Sequence, residues 1–156
     1  MRALPVRASS RVPGYGPRVT DADQTHTPPL TFPFRFDARY RLLAAPFGIS
    51  PARAEVRLGD GRLVARFGPW TVETPLTNLA GAEVTGPYGL LKTAGPAHLS
   101  FADRGLTFAS NGDRGVCIRF RQPVPGISPT RSPLHPALTV TVADVEGLHR
   151  AVLALP

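Results

Sequence analysis

Few groups in this 156-residue chain have the chemistry to do covalent work. Cys117 is the single cysteine, so neither an intramolecular disulfide nor a thiolate metal cluster can form. In "GVCIRFRQP" it shares a predicted strand face with Arg119 and Arg121, and nearby positive charge lowers a thiol pKa and favours the reactive thiolate. A small buried or half-buried strand residue is the simpler reading, and the alternation favours it. His26, His98, His135 and His149 show no metal-ligand spacing; His149 sits on a predicted helix outside its apolar stripe. No G-x-S-x-G elbow, G-x-x-x-x-G-K-[ST] loop or strand-linked G-x-G-x-x-G occurs, and no local cluster of carboxylates suggests an acid–base pair. No catalytic, cofactor-binding or metal-binding residue is therefore expected, and a non-catalytic role is favoured over an enzyme.

Two other features have recognition chemistry. The Asp-Arg-Gly turns at 103–105 and 113–115 each precede an alternating apolar strand. Aspartate accepts backbone hydrogen bonds and glycine supplies the unusual φ, so turn formation explains them. Alternatively, Arg104 or Arg114 grips an anionic group. If the strands between these turns form a hairpin, the turns lie at its opposite ends. The segment "GPYGLLKTAGP", residues 86–96, sets Tyr88, Leu90 and Leu91 beside Lys92, the sole lysine. Such a loop either enters a membrane interface or a partner's groove, or folds back as a plug over the open end of a β-structure. The candidate contact surface is therefore Tyr88, Leu90, Leu91, Lys92, Arg104, Arg114, Arg119 and Arg121.

Charge constrains partners less than its size suggests. The chain carries +7, from seventeen arginines and one lysine against eleven acids. That skew is also what GC-rich codons produce. No lysine–arginine run occurs, and most arginines alternate with apolar residues as on the wet face of a strand. A solvated basic face is favoured over a polyanion site, so nucleic acid is not the expected partner. A protein partner or an anionic membrane surface fits. The chain has neither a run of signal-peptide length at its start nor an eighteen-residue apolar stretch. The expectation is a cytoplasmic protein, free or peripheral to a membrane.

The elements that must position these groups are short. Eighteen prolines and fifteen glycines break the chain into brief segments and argue against long helices. Residues 1–30 have five prolines, two glycines and no periodicity, which predicts a disordered basic leader. Residues 31–52 form a strap and short helix: Phe32, Phe34 and Phe36 share one face, and "ARYRLLAA" follows a capping Asp37 with Tyr40, Leu43 and Phe47 at helical spacing. Residues 53–156 form the main domain. Val56 and Leu58, then Leu63, Ala65 and Phe67, then Trp70, Val72 and Thr74 alternate with polar residues across turns at 59–61 and 68–69, a three-stranded meander with one wet face. Trp70 is accordingly expected in the core or at a corner. Further strands place Ala80, Ala82 and Val84 on one face, then Leu99 with Phe101, Leu106 with Phe108, and Val116, Ile118 and Phe120. After a proline-rich loop over 122–136 come Leu138, Val140 and Val142. Asp144 then caps a helix whose Val145, Leu148, Val152 and Leu155 form an apolar stripe interrupted by Gly147, which costs about 1 kcal/mol against alanine.

About eight short strands and one C-terminal amphipathic helix make this a mainly β domain, a curved sheet or barrel closed by a helix. "LGDGRLVARFGPWTVETPLTNLAGAEV" resembles the opening of bacterial pleckstrin-homology-like domains, through the step Pro75-Leu76-Thr77-Asn78-Leu79. "GVCIRFRQP" with "LTVTVADVEGLHRAVLAL" resembles their last strand and capping helix. The likeness spans roughly residues 53–155. The first hairpin lacks the lysines of phosphoinositide-binding relatives, and the loops before Leu99 and over 122–136 are long. What the resemblance implies is a scaffold for non-catalytic binding. The alternative class is an enzyme or small-ligand carrier using the barrel interior, for which a sizeable internal pocket with a buried polar cluster would be needed.

Overall fold

In the computed structural model, which describes residues 28–87, 98–99, 105–130 and 132–156 (Arg39, His98 and Leu99 by backbone alone), the alternation over residues 56–74 becomes a meander. Its strands are β2 (Ala54–Gly59), β3 (Arg62–Phe67) and β4 (Trp70–Pro75). Leu58 lies opposite Leu63 and Ala65 opposite Val72, so Val56, Leu58, Leu63, Ala65, Phe67, Val72 and Thr74 point inward and are buried, with Trp70 half-buried at the corner. Asp60 and Gly61 turn the first hairpin with φ of 51° and 71°, the left-handed pair that matches the twist of its strands. β1 (Leu30–Pro33) adds to the free edge of β2 and sets Phe32 opposite Val56.

The second sheet has the order β5-β8-β9-β7-β6, from β5 (Leu79–Thr85), β6 (His98–Leu99), β7 (Leu106–Phe108), β8 (Gly115–Pro125) and β9 (Leu134–Val140). One open possibility is settled here and two expectations change. β7 and β8 do not form a hairpin, because β9 lies between them and runs parallel to β7, with Leu106 beside Leu138 and Phe108 beside Val140. The loop expected over 122–136 is shorter, since β8 continues to Pro125 and pairs it with Leu134. Pro123 falls where the ladder is interrupted between Arg119 and Val124, so its missing N–H leaves no gap there. Ala80 is exposed instead of sharing a face with Ala82, because the register shifts between Leu79 and Gly81 and puts Leu79 in the core.

Among the described residues the strands make two sheets and not a closed barrel. Both edges of the first sheet are nonetheless fastened to the second. Beyond β1, Phe34 bridges to Val142, the Arg35 N–H donates to the Thr141 carbonyl, and the Ala143 N–H donates to the Pro33 carbonyl. Beyond β4, the Asn78 side chain donates to the Gln122 carbonyl (2.9 Å) and accepts from its N–H (2.8 Å). Between the sheets Phe67 stacks on Phe108 with centroids 5.2 Å apart, while Phe34 and Phe36 close over Phe67 at 5.1 and 6.4 Å. Helix α2 (Val145–Leu153) packs on β5 and β8 and buries Leu148 and Val152. Asp144 caps it, accepting the Gly147 N–H at 2.8 Å.

The leader lies outside the described residues up to position 27, and Leu30 opens β1. Helix α1 (Ala38–Ala44) departs from its expected face. Tyr40 and Ala44 are buried, whereas Leu43 and Phe47 are exposed, and the Asp37 side chain makes no cap hydrogen bond. A seven-residue helix has one buried line of contacts; here Tyr40 and Ala44, one full turn apart, occupy it.

Candidate interaction surface

Arg35, Asn111, Asp113, Arg114, Asp144 and Glu146 line a cleft of about 200 Å³ between the strap, the 111–114 loop and the start of α2. The loop is held from beneath. Ser110 and Asn111, both 1 % exposed, donate from Oγ and Nδ2 to the Arg35 carbonyl at 2.7 and 2.9 Å. Asn111 also donates to the Thr141 carbonyl at 3.4 Å, and its Oδ1 accepts the Asp113 N–H at 3.1 Å. The Ser110 N–H donates to the buried Thr141 hydroxyl at 2.8 Å. A buried amide aligned this way fixes three backbone segments at once, because each unpaired polar group would be costly to bury.

At the rim, charges are matched to one another. Arg35 faces Asp113 at 3.2 Å and Arg114 faces Glu146 at 2.6 Å, while Asp144 is engaged as the helix cap. The cleft is thus a joint in which paired side chains lock strap, loop and helix together. Among the described residues no group of three or more His, Cys, Asp or Glu is placed to hold a metal.

The residues selected from sequence scatter. Tyr88, Leu90, Leu91, Lys92 and Arg104 lie outside the described residues. Arg114 belongs to the cleft. Arg119, on β8, faces Glu83 of β5 at 2.6 Å, so its charge is locally matched. Arg121 is exposed. Cys117 is buried in the ladder between Glu83 and Thr139, in line with the simple strand reading. His135 is buried at 2 % exposure with its ring against Gly126, and the His149 Nε2 lies 3.2 Å from the Ala82 carbonyl. His135 is thus buried and His149 half-buried.

What sequence reasoning missed is the outer side of α1. Leu42 is 79 % exposed, Leu43 52 % and Phe47 46 %, an apolar group on a nineteen-residue stretch, 35–53, that carries four arginines and one aspartate. Arg41 and Arg53 are exposed and make no ion pair with the described residues. The base of this shoulder is firm: Ile49 is 2 % exposed and lies against Gly68 of the β3–β4 turn. The adjacent Leu42-Leu43 pair was the available signal, since two neighbouring helical positions cannot both face a core reached through Tyr40 and Ala44.

No helix among the described residues is long and apolar enough to cross a membrane. No family model matches the chain, and neither a curated protein nor a solved structure does.

Proposed function

We propose that this chain is a non-catalytic binding module, pleckstrin-homology-like in plan, that recognises a protein partner or an anionic membrane surface with its exterior. The observation that carries this reading is the filled interior. Phe67, Phe108, Leu63, Ile118, Leu138 and Leu148, contributed by both sheets and α2, are all under 2 % exposed and belong to one contiguous core. The described space between the sheets is therefore taken up by side chains rather than by a ligand pocket. The buried polar cluster of Ser110, Asn111 and Thr141 is likewise spent on backbone groups. A meander leading into a second sheet with a C-terminal helix docked on it supports the pleckstrin-homology-like plan.

The test sets exterior against interior binding. Thermal melts of the full chain against small-molecule panels are expected to show no saturable shift, while vesicles or a purified partner retain the protein. A small ligand that stabilises the fold by about 2.7 kcal/mol at roughly a hundredfold its Kd, with no macromolecule bound, would make this a carrier or an enzyme instead.

A further inference from the structure

We infer that the shoulder formed by α1 and the turn after it is the contact surface, and that it inserts into the interface of an anionic lipid membrane. This rests on the proposed reading of the chain as a binding module and chooses one partner for it.

Three observations lead there. First, the orientation of α1 is fixed from below. At about 100° per residue, Tyr40 and Ala44 face the core together, which aims Leu42 directly away from the protein and Leu43 to one side. An outward leucine on a short, firmly seated helix contributes nothing to the described core. Second, Phe47 follows in a single 3₁₀ turn (Ala45–Phe47) and is also exposed, so three large apolar side chains project from nine consecutive positions, 39–47. Third, the charge carried by residues 35–53 is predominantly positive. Arg41 and Arg53 are exposed on the same stretch, and the one acid within residues 35–53 is Asp37, beside Arg35, which is itself matched by Asp113.

Exposed apolar side chains on a stretch that also carries exposed arginines fit a surface that offers hydrocarbon at its boundary and negative charge above it. Arginine stems also run along apolar surface while their guanidinium groups reach the lipid phosphates. The charge complementarity favours anionic lipid over a second copy of this chain, whose own shoulder would present the same positive sign.

The experiment is co-sedimentation of the full chain with phosphatidylcholine vesicles and with vesicles containing phosphatidylserine, at low and high salt. Phosphatidylserine vesicles should retain the protein, and raising the salt should weaken retention, since exposed charges are screened. Leu42→Asp and Phe47→Asp should each raise the lipid needed for half-maximal binding about tenfold or more. Arg41→Glu should do so on the anionic vesicles alone. Because Leu42 is 79 % exposed, its aspartate variant should melt like the parent, which separates lost binding from lost folding. Retention that survives Leu42→Asp but fails with Leu90→Asp and Leu91→Asp would overturn the shoulder assignment and leave the binding-module reading standing. No retention on either vesicle would overturn the membrane assignment, and saturable complex formation with a purified partner would then be the test of the module. A gel-filtration dimer abolished by Leu42→Asp, without vesicles, would identify a second copy as the occupant and overturn the proposal as well.

Discussion

Asn111 carries more of this fold than its neighbours in sequence suggest. In "SNGDRG" it is a turn former, and turn chemistry accounts for the motif. In space its amide spans the strap and the end of β9, reaching the Arg35 carbonyl 76 positions away. Asn111→Ala leaves buried backbone groups short of partners and should cost about 2 kcal/mol in a denaturant titration. Arg114→Ala, three positions further along the same cleft, removes an ion pair whose members are 56 % and 51 % exposed. It should cost under about 1 kcal/mol. If the order were reversed, the cleft would be held by its rim charges and not by its buried amide. The sequence singled out Arg114 and left Asn111 as a turn residue; burial separates them, and burial at this site is created by pairing between residues thirty or more positions apart.

At the scale of elements, legibility followed locality. The meander over residues 54–75 was readable because its pattern has period two, its turn residues are adjacent to the strands, and each strand pairs with the next. The register slip at Ala80 and the insertion of β9 beside β7 were not, since both are settled by non-local hydrogen bonding that leaves the alternation unchanged. Helix α2 was readable from its stripe and its cap, but the sequence assigned Gly147 only a cost. The structure supplies a reason for the glycine: a Cβ at this position would run into the Asp144 carboxylate that caps the helix. Gly147→Ala should therefore gain little or lose stability in the parent, because the roughly 1 kcal/mol of helix propensity is offset by a displaced cap of similar worth. In an Asp144→Ala background the same substitution should stabilise by about 1 kcal/mol. A double-mutant cycle of melting curves checks this; additive effects would show that the cap and the glycine are independent.

For the whole molecule, the question is whether two sheets joined by so few backbone bonds behave as one unit. The local patterns described strands and said nothing about how the sheets meet, because the seam is built from ends that are far apart in the chain: the strap at 33–36, the segment 141–143, and Asn78 with Gln122. The physical argument for unity lies in the core. Phe34 belongs to the strap, contacts Phe67 of the first sheet, and is bridged to Val142 beyond the second; Phe67 in turn stacks on Phe108. Removing the Phe34 ring opens a cavity shared by both sheets and should cost about 3–5 kcal/mol. If the sheets form one cooperative unit, Phe34→Ala lowers the hydrogen-exchange protection of Ala65 in β3 and Ile118 in β8 by the same factor, because both open only when the whole domain does. Protection lost at Ala65 and retained at Ile118 would mean that the first sheet and strap open separately from a stable unit of β5, β8, β9 and α2. Equal loss is the expected result, since the central strands of both sheets bury their side chains in the same contiguous core.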